Sequence, residues 1–195
     1  SRLGREETND TAGISARDPQ PDNTLGLRRA KAATLLMLAL PGSAYLYQGE
    51  ELGLPEHTTV PDELRQDPIW EGTKHQEVGR DGCRIPLPWV ADAPGLGFGP
   101  SGKTWLPQPD SYAELAADQQ MTDPASMWTM YQTALKLRRQ YGLGAGSMTW
   151  VVAPEHVLAF DNGQVRVLVN VDGPAGPLPE GEVLLASTKV AGKLP

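Results

Sequence analysis

Between Leu25 and Leu40 the chain carries its longest apolar pattern. Leu25, Leu27 and Ala32 alternate with Arg28, Arg29 and Lys31 before TLLMLAL becomes apolar all round. This predicts a helix that is amphipathic in its first half and covered on every side in its second. Asp22, Asn23 or Thr24 supplies the cap, and Pro41-Gly42 the stop. Three basic residues near the helix start oppose its dipole, which requires carboxylate or solvent partners. Ser43 to Tyr47 then reads as a short buried strand, with Tyr45 and Tyr47 packed in or just beneath the core. Helix, tight turn and buried strand make an αβ unit of the kind found in parallel sheets.

From Leu54 to about Gln120 the periodicity fades. Pro55, Pro61, Pro68, Pro86, Pro88, Pro94, Pro100, Pro107 and Pro109 forbid long helices, and closely spaced glycines add turns. Irregular chain of this length in a compact domain is a functional excursion over a pocket. Asp123-Pro124 then signals a helix start, and Met127, Met130, Tyr131, Ala134 and Leu137 form one stripe. Lys136, Arg138 and Arg139 near its end read as a solvated helix terminus. After Gly146 the period changes. MTWVVA, HVLAF, VRVLVNV and EVLLAS are short β-rich runs, with Asn162-Gly163 as a hairpin turn. The domains therefore divide as 1–143 and a small all-β module over 144–195.

Composition narrows the partners. Net charge is −7 with the acidic residues dispersed, which argues against nucleic-acid binding. No run approaches the roughly 18 apolar residues of a membrane span. The single Cys83 excludes an intramolecular disulfide. The polar, loop-like opening (SRLGREETNDTAGISARDPQPD) and the close at STKVAGKLP read as part of a longer chain. Absence of a signal peptide is then uninformative, and a cytoplasmic location is the default expectation. No acidic cluster has metal-loop spacing, and no cofactor is implied.

Three constellations carry chemistry. Gln48-Gly49-Glu50-Glu51 places two carboxylates directly after the apolar run, where one can face a pocket while backbone amides hold the other. Adjacent residues point in different directions, so they do not form a glycosidic pair about 5–5.5 Å apart across one bond. Gly79 to Trp89, GRDGCRIPLPW, holds Arg80 and Arg84 around Asp81 in a Gly- and Pro-restrained loop. Guanidinium forks so held bind vicinal hydroxyls or pair with a buried carboxylate in a pocket floor. Thr104 to Pro109, TWLPQP, sets Trp105 in a rigid proline frame. Such loop tryptophans either stack on sugar rings or pin loops to the core.

In this order and spacing the three resemble the carboxyl-terminal portion of α-glucosidases of glycoside hydrolase family 13, the α-amylase family. Gly42-Ser-Ala-Tyr45-Leu-Tyr47-Gln48-Gly49-Glu50-Glu51-Leu52-Gly53 matches its eighth barrel strand, and Arg80-Asp81-Gly-Cys-Arg84-Ile-Pro86-Leu-Pro-Trp89 its RDxxRxPxxW loop. The resemblance implies an α/β fold: the last αβα part of a (β/α)8 TIM barrel followed by a small antiparallel β-sandwich, incomplete at both ends. It implies a retaining α-glucosidase or oligo-1,6-glucosidase acting on small α-glucosides or malto- and isomalto-oligosaccharides. The catalytic carboxylates would lie upstream, with Ser1-Arg2-Leu3-Gly4 continuing the loop after the seventh strand, since no Asn-His-Asp motif occurs here. Arg84 would bind the terminal glucose and pair with an aspartate of the first barrel loop, which this sequence does not contain, and Arg80 would line the entrance. Gln48, Glu50, Glu51, Trp89 and Trp105 would support the pocket, and the remainder of the barrel would be the partner. A glucosyl isomerase such as trehalose synthase, and a non-catalytic transporter-subunit relative, are the competing implications. The Gln48-Gly49-Glu50-Glu51 form and the intact arginine loop weigh against them. An autonomous sugar-binding module is weaker still, because two barrel units leave their sheet edges unpaired.

Overall fold

The computed structural model describes residues 2–5 and 13–194. Ser1, residues 6–12 and Pro195 lie outside the described residues, and with them much of the expected polar opening and the Ser1 end of the strand-end loop. The chain forms two compact units, Ser1–Leu27 with Tyr47–Trp128, and Arg28–Leu46 with Thr129–Pro195.

Helix α1 spans Asn23–Ala39. Of the three candidate caps Asp22 is used: its Oδ1 accepts the backbone N–H groups of Thr24 at 2.8 Å and Leu25 at 3.0 Å. Only Thr34 and Leu38 are buried in it, so the apolar second half is not enclosed as its pattern predicts. Segment 43–47 departs further from expectation. It joins no sheet, and Tyr45 is 86% exposed, Leu46 44% and Tyr47 49%. The expected strand and the core placement of its tyrosines are therefore both corrected. A strand exists only through hydrogen bonds to a neighbouring strand, and none of the described residues supplies one.

The first unit follows its prolines. Short 3₁₀ turns alternate with two brief helices, α2 (Pro68–Gly72) and α3 (Ala117–Gln120). Val60, Ile85, Leu106 and Tyr112 form the core cluster, with Leu54 and Leu96 against it. The Tyr112 hydroxyl donates to the Pro55 carbonyl at 2.6 Å, and burial, then the nearby Glu56 charge, pushes its pKa up and keeps it a donor. Gln120 ties distant loops together. Its buried side-chain amide donates to the Leu52 and Leu115 carbonyls at 2.8 Å each and accepts the Trp128 N–H at 3.2 Å.

Helix α4 spans Met127–Gln140, starting beyond the Asp123-Pro124 signal because Asp123 first closes a turn by accepting the Ala125 N–H. Met127, Met130, Tyr131 and Ala134 of the expected stripe are buried. The three-stranded sheet of the second unit, order β1-β2-β3, is antiparallel: β1 (Met148–Trp150), β2 (Val157–Asn162) and β3 (Val165–Asn170). Asn162 pairs with Val165, so the hairpin turn sits on Gly163 and Gln164, one residue later than Asn162-Gly163 suggests. EVLLAS forms no ladder. Leu184 and Leu185 instead line a cavity of about 540 Å³ with Leu36, Leu137 and Val167, and the remaining short ladder joins β4 (Gly176–Pro177) to β5 (Lys193–Leu194).

The carboxyl end of α1 explains two further departures. A helix leaves its last carbonyls unanswered. Here Arg138 Nη1 donates to the Leu38 carbonyl at 2.5 Å and to that of Leu40 at 2.7 Å, while Nη2 reaches Gly42. Asn162 Nδ2 donates to the carbonyls of Ala39 at 2.8 Å and Leu143 at 3.0 Å. Arg138 is therefore a capping residue rather than part of a solvated terminus. The Asn162 carboxamide is wholly buried, and its Oδ1 is left against Gly146, where a Cβ would lie 1.9 Å away. Arg138→Met keeps the apolar stem and removes the donors. It is expected to lose about 2 kcal/mol of stability, read from denaturant unfolding. An unchanged midpoint would remove Arg138 from this role.

Candidate active-site loop

The arginine loop is built around a buried acid. Asp81 is 1% exposed, and its Oδ2 accepts the N–H groups of Gln66 at 2.8 Å and Asp67 at 3.0 Å. These bonds draw segment 66–67 against the loop and bring a second carboxylate with it. Asp67 Oδ1 accepts the Ile69 N–H at 3.1 Å, capping α2, and its Oδ2 accepts the Arg80 N–H at 2.9 Å. Gly79 permits this approach: its φ is +67°, and a Cβ there would lie 2.6 Å from Asp67 Cγ. Helix α2 is braced behind Asp67. Trp70 is buried, stacked on His75 with ring centroids 4.6 Å apart, and capped by the Arg65 guanidinium 5.2 Å from its ring.

Arg84 meets both acids. Its Nη2 pairs with Asp67 Oδ2 and lies 3.6 Å from Asp81 Oδ1, and its Nε donates to the Arg80 carbonyl at 3.3 Å. Its side chain remains 43% exposed. The backbone beneath is held as well. Trp105 Nε1 donates to the Arg84 carbonyl at 3.2 Å, and Gln66 Nε2 to the Trp105 carbonyl at 2.8 Å. Trp105 is half exposed and meets Phe98 edge to face, with centroids 5.0 Å apart. Two arginines and two aspartates balance in formal charge, so the loop offers a ligand hydrogen-bond direction and an aromatic face rather than net charge.

The structure thus brings Arg84, Asp81 and Trp105 into one cluster, with the Arg80 side chain exposed at its edge. Gln48, Glu50 and Glu51 form a tight turn in which Glu51 Oε2 accepts the Gly49 N–H at 2.8 Å; Gln48 and Glu50 are exposed. Trp89 is 41% exposed and bound through its backbone N–H to the Leu96 carbonyl at 2.7 Å. Cys83 donates its thiol to the Arg80 carbonyl, and burial followed by the Glu56 charge pushes its pKa up, so it stays protonated. Asp67 is the residue that sequence reasoning missed. Its signal was present, since Asp67-Pro68 has the same cap-and-proline form as Asp123-Pro124. Among the described residues, no group of three or more His, Cys, Asp or Glu side chains is placed to hold a metal ion. No helix there is long and apolar enough to cross a membrane.

Comparison with known proteins gives the family. Residues 14–145 match the model of the alpha amylase catalytic domain. The chain belongs to this family, glycoside hydrolase family 13. It is 32% identical over 146 residues to Maltase 1 of Drosophila virilis, covering 73% of this chain and 23% of that protein. It is 35% identical over 155 residues to a probable alpha-glucosidase of Rhizobium meliloti (strain 1021), covering 75% and 27%. Among solved structures, the alpha-glucosyl transfer enzyme XgtA superposes with a TM-score of 0.65 at 36% identity, over 78% of this chain and 29% of that one. The trehalulose synthase MutB from Pseudomonas mesoacidophila MX-45 gives 0.68 at 25% identity, over 85% and 35%. The chain spans about a quarter of the length of the curated relatives it matches.

The loop has a pH signature. Burial opposes the charge on Asp67, but the N–H groups of Arg80 and Ile69 and the Arg84 and Arg80 charges outweigh it, lowering its pKa. A lowered carboxylate pKa adds stability above the unfolded value, near pH 4, that is lost as pH falls through the folded one. Asp67→Asn should therefore show a smaller fall in unfolding free energy between pH 7 and pH 3 than the parent. An equal fall in both proteins would contradict the assignment.

Proposed function

We propose that this chain forms the sugar-holding side of the pocket in a retaining α-glucosidase that releases terminal α-linked glucose from malto- or isomalto-oligosaccharides. The observation that carries the reading is the carboxylate-held, partly exposed Arg84, whose backbone carbonyl is bound by the Trp105 indole. Family membership and the α-glucosidase relatives support it. In this reading Arg84 donates to hydroxyls of the terminal glucose, Arg80 flanks the entrance, and Trp105 presents an apolar face to a sugar ring. Gln48, Glu50, Glu51 and Trp89 shape the surroundings. In this reading the two carboxylates of a retaining mechanism, one a nucleophile and one an acid that becomes a base, come from other parts of the barrel, a view supported by the lack of an Asn-His-Asp motif here. We assign residues 1–143 to the carboxyl-terminal part of the (β/α)8 barrel and 144–195 to the all-β domain. Segment 43–47, which joins no sheet here, matches the position of the family's eighth strand by its sequence alone.

A second reading, transfer of glucosyl groups to acceptors other than water, draws on the 36% identity to XgtA. The two differ in product: free glucose from hydrolysis, a glucosylated acceptor from transfer.

The 195-residue chain alone should show no turnover of a chromogenic α-glucoside; measurable hydrolysis by the pure chain would place catalytic carboxylates within it. In the full-length protein, Arg84→Ala should lower kcat/KM for terminal α-glucosides on the order of 10- to 100-fold, as expected for losing a charged hydrogen bond. Unchanged kinetics would remove Arg84 from the sugar site.

A further inference from the structure

The geometry points to Asp67 as the positioning residue that aims the Arg84 guanidinium at its sugar, an inference that rests on the assignment of Arg84 to the glucose side of the pocket. An arginine on a flexible stem recognises hydroxyl pairs only when its planar fork is held. Four features make Asp67, rather than Asp81, the anchor. Its Oδ2 makes the direct pair with Arg84, while Asp81 Oδ1 stands back at 3.6 Å and Asp81 Oδ2 is occupied by two backbone amides. Asp67 is itself immobilised, since backbone N–H groups hold both of its oxygens, one from Ile69 and one from Arg80. A carboxylate tied to the main chain on both sides cannot follow the guanidinium, so the guanidinium follows it. Asp67 also stands at the start of α2, which Trp70 braces through its contacts with Arg65 and His75. Finally, Gly79 leaves room for the carboxylate, which a side chain there would displace.

The pair occupies Nη2, Nε donates to the Arg80 carbonyl, and the side chain as a whole stays partly exposed. With the plane of the fork set, its remaining N–H donors suit a neutral ligand with adjacent hydroxyls, the chemistry of a glucose ring.

Asparagine at position 67 separates this role from helix capping, because Asn caps as well as Asp. Its carbonyl keeps the Ile69 bond, while its amide turns donors toward Arg84 and the Arg80 N–H. In the full-length protein, Asp67→Asn should raise KM for terminal α-glucosides about tenfold with kcat within about threefold. The same change in an Arg84→Ala background should alter KM less than about twofold, because nothing remains to aim. Asp67→Ser also caps α2 without the charge, and gives the same readout where the Asn variant accumulates poorly. Wild-type KM for Asp67→Asn, or an equal effect with and without Arg84, overturns the inference while leaving the α-glucosidase reading intact. Wild-type kinetics for Arg84→Ala overturns that reading instead.

Discussion

A carboxylate sealed from water must be answered by donors or lose its charge, and Asp81 is such a group. Its answer is two consecutive backbone amides, those of Gln66 and Asp67. The choice organises the arginine loop, because it brings residues 14 and 15 positions upstream against the loop. Asp67 then reaches Arg80 and Arg84, and Gln66 reaches the Trp105 carbonyl. Three segments with no regular structure of their own become a single polar assembly. Proline and glycine limit the conformations of each segment, and the buried acid selects among them.

What was legible in the sequence was what short-range rules govern. Helix α1, a cap among Asp22, Asn23 and Thr24, the α4 stripe, the β2–β3 hairpin and the arginine loop all follow from periodicity, capping and turn chemistry between near neighbours. What escaped depends on distant chain. Ser43 to Tyr47 has a strand's apolar pattern, but a strand is completed by a neighbour, and the described residues provide none. Arg138 looks like any basic residue at a helix end until the carbonyls of α1 appear about a hundred positions away. Asn162-Gly163 has the form of a hairpin turn. Burying the Asn162 amide against two carbonyls from other elements keeps it in the strand and moves the turn onward.

The candidate site divides in the same way. Arg80, Arg84 and Trp105 stand in recognisable local frames, and the structure keeps Arg84 and Trp105 together. Asp67 lies 17 residues from its guanidinium partner, in a stretch without periodicity, so nothing local tied it to the loop. Gln48, Glu50 and Glu51 were conspicuous as acids after an apolar run. The bond that holds Glu51 to the Gly49 amide is a feature of the turn itself.

The shared capping of α1 by Arg138 and Asn162 also bears on how the chain reaches its structure. The second unit is discontinuous, with residues 47–128 of the first unit lying between its two stretches of chain. The bonds that finish α1 join positions separated by 100 and 123 residues. Loop-closure entropy must be met before such contacts give any return, and long sequence separation slows folding for that reason. Compaction of the intervening chain shortens the effective loop and lowers that cost. Contacts of this kind slow the opening of the second unit to the extent that they form after the folding transition state.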